Sequence, residues 1–552
     1  MQEKQQDNNW DLETPRTALV DKRTRRITRI PGLTDAQIQN ELDIAFAKNT
    51  VRYGDPENVM AAKPGTELDE YAFLLAAEYI QKYNPNHIDP KMFPGSYELE
   101  REVIGMFADL LRHPDPDNAL GFFTGGGTAS IAQTLWTFRN KFYCDLESVV
   151  TGKDMTEVLV APLIRRKGIR NLYTELGSKV SQNHDGVVLA PLDIHFALDK
   201  SVDFAGMGTE SGIVRYDLDE NFDADIDSIA RTAQKVYASG REILALYAVA
   251  GDVGKGRFAD CAKIEEVLRD MESKSFPALK HRPRGRPYQT PIVVDAAQQF
   301  MTALLRGDED TPHIPDWDFA VDGVQALLID LHKTDMATYG SSILFYRSDV
   351  TKADGLDLAN YTQNNAPYLH HEGDLGIDAD TRVTDALIKT CPTFETSRGA
   401  LGAVSTWIYM NKYGMPRLFE GQKRVVENVE YISKKLSEPD SPYELMCQPQ
   451  SGIVSFRVKG NIPELNKTVY DVINGAANPQ FTISHADHLG IRTEEQMREY
   501  EQRKSQLNKG EKLNGHDGLY VQVMPHMSHD QAQTLVDVLY HVGKESVRRK
   551  AA

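Results

Sequence analysis

Cysteine is scarce in this sequence of 552 residues: Cys144, Cys261, Cys391 and Cys447 stand far apart, with neither a CxxC pair nor zinc-like spacing. That pattern excludes a disulfide framework and points to a cytoplasmic chain. No apolar run reaches the ~18 residues of a bilayer span, so no membrane segment is expected. The first thirty residues, MQEKQQDNNWDLETPRTALVDKRTRRITRI, lack the apolar centre of a secretory signal. Positive charge is also short. With 62 Lys and Arg against 80 Asp and Glu the formal charge is −18, which argues against a sequence-independent nucleic-acid binder needing a cationic face. What is present is a composition 41% hydrophobic and 9% aromatic, sufficient for a sizeable core.

Residues 1–60 are polar and mixed in charge and read as a frayed or partner-wrapping arm. From residue 67 the pattern turns helical, with YAFLLAAEYIQKY (71–83) apolar at helix spacing. The segment NPNHIDPKMFPGS interrupts it with three prolines and a glycine, and SYELEREVIGMFADLLRH (96–113) restarts a helix with Ser96 as its expected N-cap. Beyond residue 120, short apolar runs alternate with helical stretches, the pattern of βαβ units and a mostly parallel sheet. The expected strands cover 157–164, 186–192, 242–249, 290–296, 324–330 and 341–347. The basic, proline-rich stretch 276–290 reads as a surface insertion between a helix and a strand. After residue 400 a long helix, SRGALGAVSTWIYMNKYG, leads into a smaller α/β portion with strands over 451–460 and 517–525. The expected division is an N-terminal arm with helices (1–85), a large domain (86–395) and a small C-terminal domain (396–552).

The chemistry begins at Asp330-Leu331-His332-Lys333, directly after an apolar strand. A lysine just past the carboxyl end of a buried parallel strand lies where α/β sheets place ligands. Thirty-eight residues earlier, VVDAA ends another strand at Asp295 and puts an acidic group at the same rim. Pyridoxal phosphate requires that pair: a lysine to hold it as a Schiff base, and a carboxylate to keep its ring nitrogen protonated. Ala297, two residues on and on the same side of an extended chain, leaves room for a flat ring. In GFFTGGGTAS, three glycines precede a helix with Thr128 as its expected cap, and the exposed amides of Gly126, Gly127 and Thr128 suit a phosphate. His195, just after the 186–192 strand, offers an imidazole to stack on the ring. GDVGKG (251–256) lacks the GxxxxGK[ST] spacing of a nucleotide loop. The adjacent His370 and His371 have no third ligand, so no metal is expected.

In this order and spacing the segments resemble the fold-type-I pyridoxal-phosphate enzymes, specifically the group II amino-acid decarboxylases and the related sphingosine-1-phosphate lyases. The resemblance covers roughly residues 85–415. MFPGSYELEREVIGMFADLL resembles the family's FPG-plus-helix segment, TGGGTAS its TSGGTES loop, IHFALDKS the stretch with the stacking histidine, VVDAA the strand with the pyridinium aspartate, and DLHK its (N/D)xHK lysine motif. Ser397-Arg398-Gly399 resembles the GSRPG segment that opens the C-terminal helix. The resemblance implies an α/β fold of the fold-type-I transferase-like kind, a mostly parallel sheet plus a small C-terminal α/β domain. It implies Lys333 as the Schiff-base lysine, Asp295 on the ring nitrogen and His195 as the stacking group. His332 is implied beside the phosphate with Gly126, Gly127 and Thr128, and Arg398 near the substrate carboxylate or as a brace. It also implies a homodimer with sites at the subunit interface.

Departures from the family pattern concern the pocket wall more than the chemistry. Asp252-Val253 stands where many members have Thr-Thr, and Gln298-Gln299-Phe300 replaces aromatic-Gly-Gly. The favoured reaction is α-decarboxylation of an L-amino acid through the Lys333 Schiff base and a quinonoid intermediate, with Tyr368 of APYLHHEGDLGI as proton donor to Cα. Its Tyr-Leu resembles the catalytic loop of aromatic amino-acid decarboxylases, and YAVAGDVGKGRFAD resembles a segment of bacterial tyrosine decarboxylases. The alternatives are carbon–carbon cleavage of the sphingosine-1-phosphate lyase type and a degenerate member that binds the cofactor without catalysis. Which amino acid enters is not written in the sequence.

Overall fold

The computed structural model describes residues 34–46, 59–60, 68–89, 92–151, 186–275, 290–308, 311, 313–349, 362, 393–460, 462–475, 481–506 and 516–551. The chain divides into two units, Met1–Asn58 and Val59–Ala552. In the first, helix α1 (Asp35–Phe46) forms within the stretch read as an arm. Its start is a capping box, in which Gln37 N–H donates to Thr34 Oγ1 at 3.3 Å while Thr34 N–H donates to Gln37 Oε1 at 2.9 Å.

In the second unit a short strand β1 (Val59–Met60) precedes α2 (Glu70–Tyr83), which is capped by Asp69 accepting from Ala72 N–H. Helix α3 (Pro94–Leu110) begins earlier than expected, with Phe93 at the cap and Pro94 in the first turn. Proline's fixed φ suits that position, so Ser96 falls inside the helix instead of capping it. Strand β2 (Ala119–Thr124) feeds α4 (Gly127–Thr151), whose first residue puts Thr128 within the first turn and not at the cap.

The order continues β3 (Gly186–Pro191), α5 (Ala197–Phe204), a single turn α6 (Thr209–Gly212), β4 (Ile213–Tyr216), α7 (Ile226–Ala238), β5 (Glu242–Val249) and α8 (Cys261–Ser275). Then follow β6 (Ile292–Asp295), β7 (Val324–Asp330) and β8 (Ser342–Asp349). The seven-stranded sheet runs β2-β8-β7-β6-β5-β3-β4. Its pairs from β4 to β7 are parallel, while β8 is antiparallel to both β7 and β2. Two reversals restore direction, so the carboxyl end of β2 reaches the same rim as those of β3, β5, β6 and β7. This sheet is the expected mostly parallel α/β architecture.

Both faces of the sheet are buried, as its unbroken apolar strands require. Val187, Val294 and Ile329 pack into one core with α7 and α8, while Val188, Val293 and Leu328 pack into another with α4 and α5. The expected strand at 157–164 and the insertion at 276–289 lie outside the described residues. β2 and β4 are not among the expected strands: β2 runs directly into the glycine turn, and β4 is only four residues long.

Helix α9 (Leu401–Leu436) crosses from this core to a second one, with non-helical backbone at Gly414 (φ 66°) just before Pro416. A small antiparallel sheet, β12-β13-β10-β9, is built from β9 (Tyr443–Leu445), β10 (Ile453–Val458), β12 (Ser484–Ala486) and β13 (Gly518–Gln522). Around it lie α10 (Pro463–Asn474), α11 (Glu494–Gln506) and α12 (His529–Ala551), while β11 (Phe481–Thr482) pairs with β1. Val425, Phe456, Leu519 and Leu535 are among the residues of its separate core.

Candidate active site

Four chain segments converge at the shared rim. They are the turn between β2 and α4, the loop after β3, the end of β6, and the 3₁₀ turn Leu331–Lys333 after β7. Together with the turn after β5 and the chain near Tyr339 and Phe394 they line a cavity of about 790 Å³, and its lining includes Gly126, Gly127, Thr128, His195, Asp295, Ala297, His332 and Lys333. Eight residues proposed from separate motifs therefore line one space.

Lys333 presents its ammonium 3.0 Å from Asp330 Oδ2. Asp330 is held in turn by the Ser342 hydroxyl, which donates to Oδ1 at 2.5 Å from the neighbouring β8. His332 Nδ1–H donates to the Ser341 carbonyl at 3.1 Å, leaving Nε2 3.5 Å from Asp330 Oδ2. Burial pulls the His332 imidazole below its ordinary range, against the upward pull of Asp330. Asp330 stands three residues before Lys333, a spacing that brings its carboxylate back beside the lysine across the 3₁₀ turn.

Asp295 is buried at the end of β6 and accepts from Ala297 N–H at 3.1 Å. Burial pushes its carboxyl above the usual carboxylate range, with Lys333 pulling down and Asp330 pushing further up. A cation beside this carboxylate relieves that penalty, which is what a protonated ring nitrogen offers. His195 lies tilted against Phe196, ring centroids 4.2 Å apart, and its Nδ1 accepts from Ala197 N–H at 3.2 Å. The neutral ring therefore carries its proton on Nε2. Burial, followed by the charge of Lys333, lowers the His195 pKa and favours that neutral form.

The glycine turn meets the lysine turn closely. Gly126 has φ 146°, a backbone conformation open to glycine, and a Cβ on Gly127 would stand 3.1 Å from Asp330 Oδ1. Gly125 N–H donates to Glu395 Oε2 at 2.7 Å. The start of α4 leaves amides that suit an anion, so the donors fit pyridoxal phosphate: amides for phosphate, a buried acid for the ring nitrogen, a lysine amine between them.

Arg398 is not among the residues lining the cavity. Its guanidinium donates to the carbonyls of Phe123 at 2.9 Å and His87 at 3.0 Å and lies 3.4 Å from buried Glu100. Asp252 does line the cavity, but its carboxylate accepts from the amides of Gly254, Lys255 and Arg257. Tyr368, His370 and His371 lie outside the described residues. Among the described residues no helix is long and apolar enough to cross a membrane, and no group of three or more His, Cys, Asp or Glu forms a metal cluster.

The family profile described as "Pyridoxal-dependent decarboxylase conserved domain" matches residues 48–459. The chain belongs to that family. It is a pyridoxal-phosphate-dependent amino-acid decarboxylase, a carboxy-lyase, and decarboxylation is thus the one of the three sequence readings that holds. The decarboxylase is 23% identical over 386 residues to a "Probable L-tyrosine/L-aspartate decarboxylase" of Methanothermobacter thermautotrophicus, covering 69% of this chain and 79% of the relative. It is 24% identical to an "L-aspartate/L-glutamate decarboxylase" of Pyrococcus horikoshii, covering 70% and 76% of the two chains. Among solved structures it superposes on mouse CSAD with a TM-score of 0.66 at 14% identity, covering 93% and 90%. It also superposes on Oryza sativa TDC with PLP and tryptamine, with a TM-score of 0.66 at 15% identity, covering 94% and 90%.

Proposed function

We propose that this decarboxylase releases carbon dioxide from the α-carbon of an L-amino acid with Lys333, Asp295 and His195 as its working groups. The observation that carries the reading is that these three side chains and the glycine turn line one cavity. Bound there, pyridoxal phosphate supplies an electron-accepting ring for the pair left when the carboxylate departs. Asp295, buried and acceptor-only when ionised, holds a proton at the ring nitrogen. His195, neutral with its proton on Nε2, covers a ring face without adding positive charge, and Ala297 leaves the opposite face open. Gly126, Gly127 and Thr128 offer amides to the phosphate, with His332 beside them. Lys333 would be the amine that holds the cofactor, and in the free protein Asp330 keeps its ammonium within the cavity. Tyr368 would supply Cα with the proton that takes the place of the departing carboxylate, a role read from its sequence context. Arg398 braces the loop before α3 against the end of β2.

We further assign the chain to the cytoplasm as a homodimer whose partner covers the cavity mouth. Phe196, Phe204 and Tyr339 are 58%, 73% and 67% exposed, with Phe204 and Tyr339 on the cavity lining, and a partner subunit would take these rings out of water. Cys261 and Cys447 are buried free thiols, as suits a reducing compartment.

The test is carbon dioxide release from each of the twenty amino acids, with borohydride reduction and peptide mass spectrometry to locate the cofactor. The expected result is release from at least one amino acid, cofactor mass on the Lys333 peptide, and loss of turnover by on the order of 10³-fold or more in Lys333→Ala. Cofactor fixed to another lysine, or undiminished turnover in Lys333→Ala, would remove Lys333 from its role.

A further inference from the structure

Behind the wall of the cavity, the described structure buries a cation, Lys255. Lys255 lies in the turn after β5 with its side chain 4% exposed, and it is not itself part of the cavity lining. Its ammonium stands 3.1 Å from Asp193 Oδ2 and 3.3 Å from Asp252 Oδ1, and both of those aspartates do line the cavity. Asp193 sits two residues before His195 on the loop after β3. Asp252 organises the turn after β5: Oδ1 accepts from Gly254 N–H at 3.0 Å and Lys255 N–H at 2.8 Å, and Oδ2 from Arg257 N–H at 3.0 Å. Glycine is required in this turn, since Gly251 has φ 81° and a Cβ there would stand 2.2 Å from Gln299 Cβ. One lysine therefore ties the His195 loop to a rigid turn.

We propose that Lys255 is a positioning residue, whose buried ammonium pins the His195 loop through Asp193 and limits the Asp193–Asp252 wall to one net negative charge, so that an anionic cofactor can bind beside it. Two carboxylates so close to a phosphate-binding cavity are unfavourable without a cation, and the low-dielectric interior magnifies their repulsion. Burial lowers the affinity of Lys255 for its proton, yet the attraction of Asp252 and Asp193 outweighs it and holds the lysine charged. Asp193 is pushed up by burial, with Lys255 opposing and Asp252 reinforcing. Among the described residues, Tyr216, Cys447, His488 and Arg257 also face this cluster, the last already paired with Asp223 at 2.8 Å. None of these brings a cation free to replace Lys255, because Arg257 is engaged and burial holds His488 towards its neutral form.

The inference rests on the cavity being the pyridoxal-phosphate site, and its test separates the two. Full-length apoprotein is titrated with pyridoxal 5′-phosphate, by visible absorbance, at about pH 6.5 and about pH 8.5. Without the ammonium, the Asp193 carboxyl, already pushed up by burial, loses the charge that opposes that rise and keeps its proton further up the pH scale, so the wall becomes doubly negative only towards the higher pH. Lys255→Met is therefore expected to bind roughly tenfold more weakly than the parent at the higher pH and much less so at the lower. Adding Asp193→Asn to it should remove that pH difference, and Lys255→Arg should restore affinity. Asp193→Asn alone should weaken binding equally at both pH values. Lys255→Gln replaces the methionine variant if that one does not fold. Affinity of the charge-removing variant equal to the parent at both pH values, or a pH difference that persists in the double variant, overturns the inference. A parent protein that takes up no cofactor overturns the reading of the cavity instead.

Discussion

Glu100 shows how one buried carboxylate supports the site without touching it. It stands on α3 with Arg398 3.4 Å away and His87 hydrogen-bonded to it, and His87 also reaches Ser96 at 2.9 Å. Burial raises its pKa, but Arg398 and the His87 hydrogen bond outweigh that and bring it down to about 2. Because the folded value lies below the unfolded one, the stabilisation is fully present above the unfolded carboxylate range and is lost as pH falls towards 2. Its size is on the order of 3 kcal/mol. Urea midpoints at neutral pH and near pH 3 should show the parent losing stability, while Glu100→Gln starts less stable and changes less over the same interval. Equal slopes in the two proteins would exclude Glu100 as a source of the acid sensitivity. In the sequence Arg398 carries a motif and Glu100 reads only as an acidic residue near the start of its helix. His87 and Glu100 lie in a loop and a helix that look unremarkable until 398 is brought beside them.

At the scale of elements, the junction of β2 and α4 against the end of β7 sets the geometry of the lysine. Glycine at 127 is needed because a side chain there would crowd Asp330, which is already fixed by Ser342 and Lys333. Gly127→Ala should displace Asp330 by a few tenths of an ångström and weaken pyridoxal phosphate binding by roughly tenfold, with little change in melting temperature. Cofactor titration with a parallel thermal melt checks it, and unchanged affinity would mean that the turn tolerates a methyl group. The glycine run was visible as a weak signal, since most such runs are only turns. Its meaning came from the sheet order, because β8 inserts antiparallel between β2 and β7 and so returns β2 to the catalytic rim. The expected caps Ser96 and Thr128 each proved to lie inside their helices, because Pro94 and Gly127 start those helices earlier.

At the scale of the whole molecule, the cofactor should act as a stability ligand. At about a hundredfold excess over its dissociation constant it adds roughly 2.7 kcal/mol, which raises the melting temperature by a few degrees. A thermal melt of apoprotein with and without pyridoxal phosphate measures the shift, and no shift would argue against a folded-state site. Sedimentation should give a particle of twice the chain mass of 61.9 kDa, and a monomer at micromolar concentration would sink the proposed covered cavity mouth. The sequence by itself determined the α/β class, the approximate spans of the central strands of the large sheet, and the motifs from which the proposed cofactor residues are read. Those properties follow from local periodicity and from short motifs whose chemistry is carried by neighbours in the chain. Only the tertiary structure decided what lies behind those residues: Asp330 under Lys333, Glu100 under Arg398, and Lys255 between Asp193 and Asp252. Their charges are set by burial and by partners tens to hundreds of positions away, and neither leaves a periodic trace in one sequence.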